Sequence, residues 1–172
     1  MRFRAGKVLV RQRGVVRTRA ATPARARPGG AGALMRLTEP EARARFAAMP
    51  VARFATVTPE GAPRLIPVTF AIDGDRIYTA VDAKPKSTRP LGRLRSVRAN
   101  PRVAVLADCY RDDWSALWWA RADGTAVVLD DLAAMTAPVD LLAARYPQYR
   151  IERPAGPVIS ISVSRWSGWS AS

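Results

Sequence analysis

The 172-residue chain contains no histidine and a single cysteine, Cys109. Without imidazole a histidine-based triad or proton shuttle has no base, and a zinc site loses its commonest ligands. One thiol excludes a disulfide framework. No apolar run approaches the about 18 residues of a spanning helix, and Lys7-Val8-Leu9-Val10-Arg11 is too short and too charged for a secretory core. The expected location is the cytoplasm. There is no Gly-x-Ser-x-Gly elbow, no Gly-x-Gly-x-x-Gly after a strand and no Walker loop. Nucleophilic hydrolysis and Rossmann or P-loop nucleotide sites are therefore disfavoured.

Acidic residues are missing from the first 34 positions, which hold nine of the 28 Lys and Arg. From Met35 onward 19 basic residues face 14 acidic ones, so much of the net charge of +14 belongs to this stretch and the remainder carries +5. Residues 1–34 lack any sustained apolar period and are expected to be disordered. A nucleic-acid or anionic-surface arm and an organellar transit peptide both fit the composition. The favoured expectation is a dispensable extension, with Met35 the natural first residue and residues 35–172 forming one domain. An apolar fraction of 48 % gives that domain enough material for a core.

Order begins at Thr38-Glu39-Pro40-Glu41, a capping box followed by the helix formers Ala42 to Met49. Arg53 to Thr58 alternates as a strand and stops at Pro59-Glu60-Gly61; Leu65 to Ile72 reads as a second strand, ending at the hairpin signal Asp73-Gly74-Asp75. Arg76 to Val81 is a third strand, and it empties into Asp82-Ala83-Lys84-Pro85-Lys86. Leu91, Leu94 and Val97 mark an amphipathic helix over Thr88 to Arg98, which Asn100-Pro101 stops. Arg102 to Tyr110 is a fourth strand, Trp114 to Arg121 an aromatic fifth, and Thr125 to Leu129 a sixth or a continuation. Asp130 to Tyr146 predicts two short helices split at Pro138, and Val158 to Val163 a last strand. The fold class is mainly β with short helices, a closed or nearly closed antiparallel barrel.

Asp112-Asp113 and Asp130-Asp131 sit at turns and helix starts, where carboxylates act as caps, so a catalytic dyad is disfavoured. What remains is chemistry carried by a cofactor, such as hydride transfer through a flavin-like ring, for which a protein supplies a shelf and a grip on an anionic tail. Lys84 and Lys86, with Arg89 and Arg93 beyond, are suitable phosphate ligands. Spacing alone does not separate that role from ordinary solvated cations.

Phe54-Ala55-Thr56-Val57-Thr58-Pro59-Glu60-Gly61 with Ile66-Pro67-Val68-Thr69-Phe70 resembles the opening hairpin of the pyridoxamine 5′-phosphate oxidase-like split-barrel superfamily. Lys84-Pro85-Lys86, Asn100-Pro101-Arg102-Val103, Trp118 to Gly124, Tyr146-Pro147-Gln148-Tyr149 and Arg165 to Trp169 resemble its actinobacterial deazaflavin-dependent branch. The resemblance implies a six-stranded split barrel, a homodimer with the cofactor in a groove between subunits, and coenzyme F420 or alternatively FMN as cofactor. Carried over by position, Lys86 with Lys84 and Arg93 would take the phosphate. Pro67, Val68 and Thr69 would line the ring from one strand, and Thr79, Ala80, Val81 and Asp82 from another. Trp114 and Trp118 would close the pocket or build the dimer contact, the packing role being favoured.

The missing histidines depart from true pyridoxamine phosphate oxidases and argue against that activity. The leading expectation is an F420-dependent oxidoreductase passing a hydride to a small conjugated or quinone-like molecule. The alternatives are an FMN enzyme on the same fold and a non-catalytic coenzyme- or tetrapyrrole-binding protein. Metal and membrane roles are not expected, and nucleic acid is disfavoured because exposed aromatics do not interleave with base-binding positions.

Overall fold

The structure, a computed structural model, describes residues 35–81 and 92–171. The chain runs β1 (Met35–Leu37), α1 (Glu39–Ala48), β2 (Ala52–Val57), β3 (Pro63–Val68), β4 (Ala71–Asp73), β5 (Arg76–Ala80), α2 (Gly92–Ala99) and β6 (Arg102–Cys109). A 3-10 turn at Trp114–Ala116 follows, then β7 (Trp118–Leu129), α3 (Leu132–Arg145), α4 (Pro147–Ile151) and β8 (Val158–Ser170). All strands pair antiparallel in one sheet of order β3-β2-β6-β7-β8-β5-β4, with β1 added to the far end of β8.

The two edges of this path, β3 and β4, are consecutive in the chain and only Thr69 and Phe70 separate them. Three Cα steps of about 3.8 Å then limit the gap between the edges to roughly 11 Å at that end. The sheet must curl until its ends nearly meet, which makes it a barrel split along one seam. Its interior is the main core. Phe54, Val105, Ala107, Ala120, Ala122, Ile159 and Ile161 point inward from alternate positions of their strands. Helix α1 plugs the barrel with Phe46, which is fully buried and meets Phe70 at 4.8 Å and Trp166 at 5.2 Å between ring centroids. A second, smaller cluster packs Met135, Val139 and Leu142 of α3 over Ala71, Ala80 and Val158.

Among the described residues the sheet has eight strands where six were expected, for local reasons. Leu65 to Ile72 divides because β3 pairs with β2 and β4 with β5, so the chain changes edges at Thr69–Phe70. The aromatic stretch does not begin as a strand. Asp113 accepts from the Ser115 N–H at 3.0 Å and the Ser115 hydroxyl at 2.6 Å, which winds Trp114–Ala116 into the 3-10 turn. From Trp118 the strand runs on through Gly124 to Leu129, because a register shift at Asp123/Gly124 absorbs the expected break. Strand β8 continues past the expected end at Val163 to Ser170, taking in the polar and aromatic stretch there, and its far half holds β1.

Pro138 does not split α3 in two: buried residues on either side of it, Met135 and Val139, fix the helix against the sheet. The hairpin at Asp73-Gly74-Asp75 forms as the sequence predicts, with Asp73 opposite Arg76 and Gly74 at φ +52°. No helix among the described residues is long and apolar enough to cross a membrane. The expectations for residues 1–34 lie outside the described residues.

Candidate functional site

Strands β3 and β5 end side by side near the seam, and the first turn of α2 comes up beside them. A cleft of ≈ 240 Å³ is lined there by Val51, Pro67, Val68, Thr69, Thr79, Ala80 and Arg93. Six of the seven are residues assigned to the cofactor from the sequence; Val51 is the addition. It belongs to the turn into β2, and a lone valine after Pro50 carries no signal that would single it out.

The cleft walls follow from the edge position of β3. An edge strand leaves alternate N–H and C=O groups outside the ladder, and proline is tolerated there. Pro63 and Pro67 both stand on it. Thr79 is buried, and Thr69, half-buried, meets the Tyr149 hydroxyl at 2.8 Å. Arg93 is the single ionisable side chain among the lining residues. The described lining of the site holds no general acid or base. It offers backbone groups, two hydroxyls and one guanidinium, which fit the polar edge of a flat heterocycle and an anionic appendage.

The other assigned residues lie elsewhere. Val81 is buried in the main core and donates its N–H to the Pro157 carbonyl at 3.1 Å. Trp118 leans on that core with the Arg45 guanidinium 5.8 Å from its ring, and Trp114 is 77 % exposed on the 3-10 turn; neither lines the cleft. Asp82, Lys84 and Lys86 lie outside the described residues. The chain does leave the cleft just before them, at Ala80, and returns to it just after, at Arg93.

A second, larger groove of ≈ 560 Å³ lies on the outward face of β2, β3, β6 and β7, among Arg53, Leu65, Leu106, Asp108, Trp119 and Arg121. Arg53 pairs with Asp108 at 2.7 Å, and Arg121 with Asp123 at 3.0 Å. The groove comes next to the cleft at Pro67. Arg53 of the groove is the cross-strand partner of Pro67 of the cleft, and Leu65 stands two residues before Pro67 on the same side of β3. Among the described residues no group of His, Cys, Asp and Glu is placed to hold a metal ion.

The family model described as pyridoxamine 5′-phosphate oxidase matches residues 38–170. The chain belongs to the pyridoxamine 5′-phosphate oxidase family. The eight-stranded antiparallel sheet with few helices agrees with the split barrel of that family. Among solved structures, a FAD-binding protein from Mesorhizobium loti aligns with TM-score 0.65 and 22 % identity over 81 % of this chain and 99 % of its own. A conserved hypothetical protein from Mycobacterium tuberculosis aligns with TM-score 0.61 and 20 % identity, over 78 % and 86 %. A heme-binding protein from Mycobacterium smegmatis aligns with TM-score 0.55 and 25 % identity, over 76 % of this chain and 52 % of its own. None of the curated proteins compared matches the chain.

Proposed function

We propose that this member of the pyridoxamine 5′-phosphate oxidase family is an oxidoreductase that binds coenzyme F420, or alternatively FMN, at the cleft between β3 and β5. It passes a hydride between that cofactor and a small conjugated or quinone-like molecule. The observation that carries this reading is the convergence in one cleft of Pro67-Val68-Thr69, Thr79-Ala80 and Arg93. When bound, a flavin or deazaflavin supplies the hydride chemistry. The residues of the chain bind and orient it: the edge of β3 and the two threonines receive the polar rim of the ring, and Arg93 with Lys84 and Lys86 takes the phosphate. The M. loti neighbour, described as FAD-binding, supports a flavin-type ligand and adds FAD to the candidates.

The proposal includes a second subunit. At ≈ 240 Å³ it is smaller than the roughly 300–1,000 Å³ that complete small-molecule sites enclose. The groove lined by Arg53 and Leu65, which neighbour Pro67 across and along the β2–β3 pair, is where a second copy of the chain would seat and complete the wall. The homodimer with a shared cofactor groove is therefore part of the proposal.

The deciding experiment titrates the full chain with F420, FMN and FAD side by side, following fluorescence. Saturable binding of F420 in preference to the other two supports the leading reading. Preference for FMN or FAD moves the protein to the flavin alternative, and no saturable binding of any of the three overturns the cofactor site.

A further inference from the structure

The cleft is held from behind by a clasp to which the sequence assigns no role. Arg145 at the end of α3, Tyr146 at the junction and Tyr149 in α4 all reach back across the fold. Arg145 donates to the carbonyls of Ala47, at 2.8 Å, and Met49, and its guanidinium lies 4.4 Å from the centroid of the Phe70 ring. Tyr146 places its hydroxyl 2.8 Å from the Pro50 carbonyl and 2.9 Å from the Phe70 carbonyl, and accepts from the Phe70 N–H at 3.1 Å. Tyr149, packed edge-on against Tyr146 with centroids 5.7 Å apart, meets the Thr69 hydroxyl at 2.8 Å.

These contacts tie together two chain ends just beyond the last pair of the β2–β3 ladder, Ala52 opposite Val68. Pro50 precedes Val51 on one wall of the cleft, and Phe70 follows Thr69 on another. Thr69–Phe70 is also the link between the two open edges of the sheet, where no ladder holds the backbone.

We propose that Tyr146 and Tyr149 are positioning residues for the cofactor, Tyr146 fixing the spacing of the Val51 and Thr69 walls and Tyr149 fixing the direction of the Thr69 hydroxyl. This rests on the reading of the cleft as the cofactor site. A phenol, with a pKa near 10, is a stronger hydrogen-bond donor than an aliphatic alcohol. With the Tyr149 O–H as donor to Thr69 Oγ1 at 2.8 Å, the Thr69 proton is left for the cleft, where the carbonyl oxygens of a flavin or deazaflavin pyrimidine ring would be acceptors. Tyr149 thus acts through Thr69 and does not touch the ring.

The test is a double-mutant cycle on the full chain with Tyr149→Phe, Thr69→Val and both together, read by the dissociation constant and the absorption maximum of whichever of F420, FMN and FAD the wild type binds. Each single change should weaken binding about five- to tenfold, the worth of one hydrogen bond. The double variant should be no weaker than Thr69→Val alone, and Tyr149→Phe should shift the absorption maximum in the same direction as Thr69→Val. Tyr149→Phe keeps the ring packing, and a far-UV and thermal comparison with the wild type shows that it folds. Wild-type affinity and spectrum in Tyr149→Phe, or losses that multiply in the double variant, overturn the positioning role alone. A wild type that binds none of the three cofactors overturns the cleft reading and this one with it.

Discussion

The Tyr146 hydroxyl takes hold of the Phe70 backbone at both of its polar groups, accepting from the N–H at 3.1 Å and standing 2.9 Å from the carbonyl. The phenolic proton is shared between that carbonyl and the Pro50 carbonyl at 2.8 Å. Tyr146→Phe keeps the ring and removes the group that satisfies a backbone N–H next to a fully buried side chain. The cost is about 1–3 kcal/mol. Urea unfolding should show a lower midpoint with an unchanged slope, since the surface exposed on unfolding is the same. A midpoint equal to wild type would show that water replaces the phenol without loss.

Phe46 lies at the centre of the plug between α1 and the barrel, fully buried and in ring contact with Phe70 and Trp166. Truncation leaves a cavity beside two large rings that are themselves packed in the core. Phe46→Ala should cost about 3–5 kcal/mol. A thermal melt checks this, and a loss below 1 kcal/mol would mean that the plug contributes little to the barrel.

How much of this was legible in the sequence depended on whether the signal was local. The capping box before α1, the Gly61 turn and the Asp73-Gly74-Asp75 hairpin are each fixed by residues within a few positions, and each forms as expected. The eight-strand count was not legible, because Thr69–Phe70 becomes a break only when β3 and β4 pair with different partners at opposite edges. The extension of the last strand past Val163 to Ser170 was not legible because its order comes from β7 and β1, which are distant in the chain. At the site, Pro67 to Thr69 and Thr79-Ala80 were named through the resemblance, and the structure brings them to one cleft with Arg93. Val51, Tyr146 and Tyr149 carried no assigned role, since each acts through contacts that only the folded chain creates.

Gly124 marks the irregularity in the β7–β8 ladder, and its backbone lies close against β8. A Cβ added there would stand 2.3 Å from the Ser162 carbonyl oxygen and 3.2 Å from the Val163 Cα. Both are backbone atoms of a paired strand, which cannot swing aside as a side-chain tip can. Gly124→Ala should destabilise by about 1–3 kcal/mol through overpacking. The same substitution at Gly74, where nothing lies within 4 Å, meets no such contact and is strained only by its φ of +52°. Parallel melts of the two variants should rank Gly124→Ala as the more damaging, and the reverse order would place the strain in the hairpin instead.

Glu41 accepts from the Thr38 hydroxyl at 2.7 Å and from the Thr38 N–H at 2.8 Å, and these bonds hold its carboxyl below the ordinary value of 4.5, with Arg45 adding a smaller pull. A carboxylate whose folded pKa is lowered stabilises the fold above its unfolded pKa and loses that contribution as pH falls through the folded value. Glu41→Gln should therefore differ from wild type most near neutrality, and the two stability curves should converge as the pH drops below 4.5. Urea midpoints at a series of pH values check this. Curves that stay parallel through the acid range would show that the charge on Glu41 does not contribute to the start of α1.

Leu65 tests whether the cleft needs a second copy of the chain. It is 64 % exposed on the outward face of β3, two residues before Pro67, and it lines the apolar groove beside the Arg53–Asp108 pair. An exposed leucine alone means little, but one set among Leu106 and Trp119 and two residues from Pro67 of the cleft is placed for an interface. Leu65→Arg puts a third cation beside Arg53 and Arg121 and should be excluded from a tightly packed contact, while costing the isolated barrel within about 0.5 kcal/mol as a surface change. The proposed dimer should then dissociate, seen as a halved mass by light scattering. Cofactor affinity should fall with it, because the partner wall is lost although no residue of the cleft has changed. In the wild type the same coupling makes affinity rise with protein concentration through the dimerisation range. A variant that becomes monomeric and binds as tightly as before would show that a single chain makes the whole site.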